Sequence, residues 1–124
     1  MSKQFRHLVF SAVVLAASAF ALDAQAAVLR VIVVKTDDVP AYVAELKKGQ
    51  AILKRVGSAA QMRVWRGRFA GEDAGRVVVT LEFPSLVVLA QDDAKANADR
   101  EYSAWLKGLD KIRKIVADST YDEL

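Results

Sequence analysis

The chain of 124 residues contains no cysteine, only two prolines and a single histidine, His7. Without cysteine there are no disulfides, no thiolate metal ligands and no thiol nucleophile. The charge excess is small as well. Eighteen basic residues stand against 15 acidic ones, a net charge of +3 that does not demand a polyanionic partner. Low-complexity tracts, internal repeats and linkers are all missing. What is present is a 53% hydrophobic composition, which excludes a disordered tail, in a length that suits one domain and not two.

Residues 1–26 have the three parts of a secretory signal. Lys3 and Arg6 form a basic start, Leu8 to Leu22 is an uncharged apolar run, and Ala24-Gln25-Ala26 places small residues where a signal peptidase reads. The run is shorter than the roughly 20 residues a membrane-spanning helix needs. Cleavage after Ala26 is therefore expected, giving a periplasmic or secreted protein of bacterial export with no stable membrane span; the alternative is an uncleaved N-terminal anchor. Cleavage takes two of the 18 basic and one of the 15 acidic residues, so the net charge falls from +3 to +2. It also takes His7. The mature domain, residues 27–124, has neither His nor Cys. Imidazole metal sites and Ser/His or Cys/His nucleophiles are thereby excluded, and nucleic-acid binding is disfavoured. No cofactor and no metal are expected.

Val28–Lys35 (VLRVIVVK) is rich in β-branched residues and apolar on both faces, the pattern of a buried strand. Thr36-Asp37-Asp38 offers a helix N-cap ahead of Pro40, and Val39–Val56 follows with helical spacing. Tyr42, Val43, Leu46, Ile52, Leu53 and Val56 make its apolar stripe, which Gly49 and Gln50 weaken; Gly57 supplies a left-handed stop. Gln61–Ala70 alternates as a strand, with Arg63 and Trp65 on one face and Met62, Val64 and Arg66 on the other. A glycine-bounded turn, Gly71–Gly75, leads into a second arm, Arg76–Phe83, whose inner face is Val77, Val79, Leu81 and Phe83. Pro84-Ser85 opens a second helical region, polar enough between Asp92 and Arg100 to hold a break. Ile112–Leu124 reads as a last strand with Ile115, Ala117, Ser119 and Tyr121 on one face.

This β-α-β-β-α-β order predicts an α+β, ferredoxin-like domain with a four-stranded antiparallel sheet. Two helices cover one sheet face. The other face should be polar, yet the first strand sets Leu29, Val31 and Val33 against Val28, Ile32 and Val34, and the third adds Val78. An apolar open face wants a cover, and a second copy of the chain supplies one, so a homodimer is expected.

Arg63–Gly71 (RVWRGRFAG), Gly75–Ser85 (GRVVVTLEFPS) and Ala98–Trp105 (ADREYSAW) give the mature region a resemblance to the dimeric α/β-barrel superfamily. It is similar there to antibiotic-biosynthesis-monooxygenase-like and NIPSNAP-like domains. The resemblance implies a dimeric barrel. It leaves the activity open among cofactor-free oxygenases, haem-degrading enzymes, isomerases, peroxidases and members with no known activity. Haem-handling members usually ligate iron through histidine; here only Tyr42, Tyr102 or Tyr121 is left to substitute.

Two constellations remain. The first is the cationic, aromatic strand: Arg63, Trp65 and Arg66, with Arg68 and Phe69, can hold a small hydrophobic or anionic ligand. Alternatively its arginines pair with Glu82, Asp118 or Asp122 and Trp65 is packing. The second is the second-helix group Asn97, Asp99, Glu101, Tyr102 and Trp105; the resemblance implies that Asn, Trp and Arg side chains in a helix–sheet cleft bind a phenolic substrate and stabilise its anion, which points to Asn97 and Trp105. The alternative is that Asn97 marks a helix break and Trp105 anchors the core. Glu82 or Asp118, if buried, would have a raised pKa and serve as a general base. Lys47-Lys48, Lys54-Arg55 and the Lys111, Arg113, Lys114 group read as solvated faces. The expected function is a monooxygenase-like or isomerase-like enzyme on a small aromatic or enolisable compound; the alternative is a non-catalytic ligand-binding or structural dimer module.

Overall fold

The computed structural model describes residues 26–124; the expected signal segment lies almost wholly outside them. Four strands, β1 (Val28–Lys35), β2 (Gln61–Arg66), β3 (Val77–Phe83) and β4 (Lys114–Asp122), form one antiparallel sheet in the order β2-β3-β1-β4. Helices α1 (Val39–Arg55), α2 (Leu86–Ala98) and α3 (Arg100–Leu109) connect them. This is the ferredoxin-like α+β arrangement, with its second helix divided in two.

Each helix starts where a short polar side chain accepts a backbone N–H that the first turn leaves without a partner. Asp38 Oδ1 accepts from Ala41 N at 3.0 Å, Ser85 Oγ from Val88 N at 3.2 Å and Asp99 Oδ2 from Tyr102 N at 3.0 Å. Asp99 also ends α2, because its extended backbone (φ −86°, ψ 126°) cannot continue a helix. One residue thus makes the break that the polarity of Asp92–Arg100 predicts.

The register sorts the sheet faces. Val28, Arg30, Ile32 and Val34 of β1 oppose Phe83, Leu81, Val79 and Val77 of β3 on the helix-covered face. Val34, Val77 and Val79 there meet Tyr42, Leu46 and Leu109 from the helices to make the core. Taking each such side chain out of water contributes about 1.5–3 kcal/mol, more than any surface pair supplies. The open face carries Leu29, Val31 and Val33, then Val78, Thr80 and Glu82, with Gln61, Arg63 and Trp65 beyond them.

Three expectations need correction. β2 stops at Arg66 and not at Ala70, because Gly67 N bonds Arg76 O (2.9 Å) and Gly75 N bonds Gly67 O (2.7 Å), closing a broad loop. Arg68 and Phe69 therefore leave the strand alternation, and Phe69 is fully exposed. In β4 the register slips between Val33 and Val34, whose partners are Ala117 and Ile115. The skipped residue, Val116, is a bulge that turns Ile115 to the helix-covered face while Ala117, Ser119 and Tyr121 stay on the open one. Finally, Gly49 is no weak point of α1. It is buried against the Trp105 indole, where any Cβ would collide with the ring.

Candidate functional site

Between the covered sheet face and the helices lies a cleft of about 310 Å³. The sheet supplies Arg30 and Ile32 from β1, Val79 and Leu81 from β3, and Ile115 and Asp118 from β4. Leu46 and Leu53 come from α1, Asp93 and Asn97 from α2, and Tyr102, Trp105 and Leu106 from α3. Charged and amide side chains share this lining with apolar ones, and polar groups converging on a concavity are a usual mark of a small-molecule site.

Trp105 stands at the wall of this cleft. Its Nε1–H donates to the Glu45 carbonyl at 2.9 Å and its ring rests on Gly49, so the indole is anchored at both edges. Tyr102 lies one turn before it, the two ring centroids 5.6 Å apart and tilted by 40°. Tyr102 is held at this position by Asp99, whose carboxylate caps the Tyr102 amide and takes Arg55 Nη2 at 2.7 Å. Those two bonds, the amide first, keep the Asp99 carboxyl below the ordinary carboxylate range. Burial pushes the Tyr102 hydroxyl above its ordinary pKa, although Arg30 pulls the other way, so it keeps its proton at neutral pH.

The polar floor is an ion pair. Arg30 Nε donates to Asp118 Oδ1 at 3.1 Å and Arg30 Nη2 to Asp118 Oδ2 at 2.8 Å, a bidentate fork. That hydrogen bonding holds the Asp118 carboxyl below the ordinary range, opposite to the rise expected of a buried base. Arg30 Nη1 also lies 4.0 Å from Asp93 Oδ1. At one end of the cleft Arg113 is paired with Asp110 (3.1 Å) and donates to the hydroxyl of buried Tyr42 at 3.2 Å. The side chain of Arg113 is only 8% exposed, so this residue belongs to the interior and not to a solvated face.

The structure thus brings Asn97, Tyr102 and Trp105 to one cleft. Asn97 and Trp105 reach it from different helices across the Asp99 break, so regular helical spacing did not have to align them. The other candidates lie elsewhere. Arg63 and Trp65 are exposed on the open sheet face, with Trp65 Nε1 bonded to Thr80 Oγ1 at 2.9 Å. Arg66 is exposed at the end of β2. Glu82 is exposed too, opposite Leu29 and Gln61, and is not a buried base. Asp118 pairs with Arg30 and not with Arg66 or Arg68. Tyr121 sits on the open face. Among the described residues no group of three or more His, Cys, Asp or Glu side chains is placed to hold a metal ion.

Arg30 and Asp93 were not among the residues the sequence singled out. A signal for Arg30 existed: it is the one charge inside the apolar run VLRVIVV, on the face with Val28, Ile32 and Val34. A charge there must find a partner, and β4 provides it.

No protein-family model matches the chain, and no curated protein is similar to it in sequence. Solved structures share its fold. The cofactor-independent oxygenase SnoaB of Streptomyces nogalater superposes with a TM-score of 0.61 at 12% identity, over 80% of this chain and 94% of that one. An uncharacterised NIPSNAP-like domain protein of Burkholderia xenovorans gives 0.61 at 12% identity, over 82% and 85% of the two chains. A NIPSNAP family protein of Agrobacterium tumefaciens gives 0.60 at 14% identity, over 79% and 84%. The chain is therefore an α+β domain of the ferredoxin-like class. The resemblance to monooxygenase-like and NIPSNAP-like domains holds at the level of the fold.

Proposed function

We propose that the helix–sheet cleft binds a small aromatic or enolisable compound and promotes its oxygenation without a cofactor. The observation that carries this reading is the meeting of Tyr102, Trp105 and Asn97 with the Arg30–Asp118 pair in one cleft. The fold shared with a cofactor-independent oxygenase supports it. The substrate ring packs on the Tyr102–Trp105 wall, and the protonated Tyr102 hydroxyl donates to the substrate oxygen as negative charge develops there. Asp93 takes the proton from the acidic carbon. The carbanion adds to dioxygen, and the hydroperoxide then loses water to leave a carbonyl. Dioxygen is the sole oxidant: one of its atoms stays on carbon and the other leaves in water. Return of the proton to a second carbon would make the same site an isomerase.

A second reading, a non-catalytic binding module, is favoured by one specific feature. Both arginines of the cleft are paired with carboxylates, so neither brings an uncompensated positive charge to an enolate. Oxygen uptake with a panel of enolisable phenols and cyclic diketones separates the two. The enzyme incorporates label from isotopic dioxygen, and Tyr102→Phe lowers turnover on the order of a hundredfold. Binding without uptake would instead establish the module. Export of the protein and pairing of two open sheet faces into a dimer complete the proposal. The apolar run at the N-terminus supports export, and the exposed Trp65 and only partly buried Leu29, Val31 and Val78 support the dimer.

A further inference from the structure

We infer that the cleft takes aromatic ligands of neutral or positive charge in preference to anionic ones, with Asp93 receiving a ligand ammonium. This deepens the aromatic-cleft proposal and rests on it. It also narrows the small hydrophobic or anionic ligand expected from the sequence.

Charge balance is the first ground. Two cations, Arg30 and Arg113, line the cleft with three carboxylates, Asp93, Asp110 and Asp118. Both cations are paired with carboxylates, which leaves the cleft lining with one negative charge in excess. Arg30 spends Nε and Nη2 on Asp118 and turns Nη1 toward Asp93. Arg113 spends Nε and Nη2 on Asp110 and Nη1 on the Tyr42 hydroxyl. An incoming carboxylate would have to draw Arg30 away from its bidentate, charge-assisted fork or share an arginine already neutralised, in a lining whose net charge is negative.

Asp93 is the second ground. Its nearest cation, Arg30 Nη1, is 4.0 Å away, beyond hydrogen-bond length, and its side chain is 49% exposed. Its oxygens therefore retain acceptor capacity toward the cleft, whereas those of Asp118 are both engaged. The aromatic wall is the third. The paired faces of Tyr102 and Trp105 favour an ammonium over a carboxylate at the same position, since the ring quadrupole attracts cations.

Three phenols of matched shape test this: tyramine (cationic), para-ethylphenol (neutral) and para-hydroxyphenylacetate (anionic), titrated into the protein by calorimetry at neutral pH and low salt. Tyramine is expected to bind about fivefold tighter than para-ethylphenol, the gain of one partly solvated ion pair, with para-hydroxyphenylacetate weakest. Asp93→Asn should erase the tyramine advantage, bringing its affinity to that of para-ethylphenol on the same variant; Asp93→Ser is the second variant should the first misfold. Tightest binding of para-hydroxyphenylacetate would overturn the inference while leaving the aromatic cleft standing. A tyramine preference that survives both variants would overturn the role of Asp93. Failure of all three phenols to bind would remove the cleft proposal and this inference together.

Discussion

Two glycine-to-alanine substitutions within helices should shift stability in opposite directions. Alanine normally stabilises a helix interior by about 0.5–1 kcal/mol over glycine, because it restricts the unfolded chain. Gly108, near the end of α3, has open space where a Cβ would go. Gly108→Ala should therefore gain that amount and raise the melting temperature by about 2–8 °C for a domain of this size. Gly49, in the middle of α1, is different: a Cβ there collides with three atoms of the Trp105 ring. The indole must move. Moving it costs about 1 kcal/mol for its hydrogen bond to the Glu45 carbonyl and about 1–3 kcal/mol for overpacking. These losses exceed the helix gain, so Gly49→Ala should lose about 1–3 kcal/mol net and lower the melting temperature by roughly 5–20 °C. Thermal and urea denaturation give both values. The chain has two tryptophans, so a Trp65→Phe background isolates Trp105 emission, which should shift as the ring leaves its seat. Gly49→Ala at or above wild-type stability would refute the tight indole seat, and with it the rigid wall of the cleft.

Three further outcomes are expected. Because hydrogen bonding from Arg30 lowers the Asp118 pKa in the folded state, this pair stabilises the fold above the unfolded carboxylate pKa of about 3.9 and ceases to do so as pH falls through the lower folded value; Asp118→Asn should flatten the acid limb of the urea midpoint against pH, and an unchanged limb would refute the link. Native mass spectrometry of the protein expressed from its full sequence should show a dimer, and Trp65→Glu on the open face should give a folded monomer; a wild-type monomer would refute face-to-face pairing. The same spectrum should give a mature chain starting at Ala27, recovered from the periplasmic fraction of a bacterial host, whereas an intact Met1 would favour the anchor.

Local chemistry made much of this protein legible from the sequence. Period-two and helical spacings set strand and helix order, since burying one face of each element requires them, and Asp38 and Ser85 mark helix starts because short polar side chains satisfy free N–H groups. The inner face of β3 and the break in the second helical region could be read in the same way. What needed the tertiary structure was everything set by contacts distant along the chain. The bulge at Val116 depends on how β4 registers on β1. Gly49 reads as a flaw in α1 until Trp105, 56 residues later, is seen resting on it. Arg30 reads as an intrusion in an apolar strand until β4 delivers Asp118 from 88 residues away. Asn97, Tyr102 and Trp105 could be proposed as neighbours from sequence, but their cleft, its charges and the exposed positions of Arg63, Trp65, Arg66 and Glu82 follow from the order in which the strands are laid beside one another. A charge inside an apolar strand announces that a partner must exist; only the folded sheet decides which residue it is.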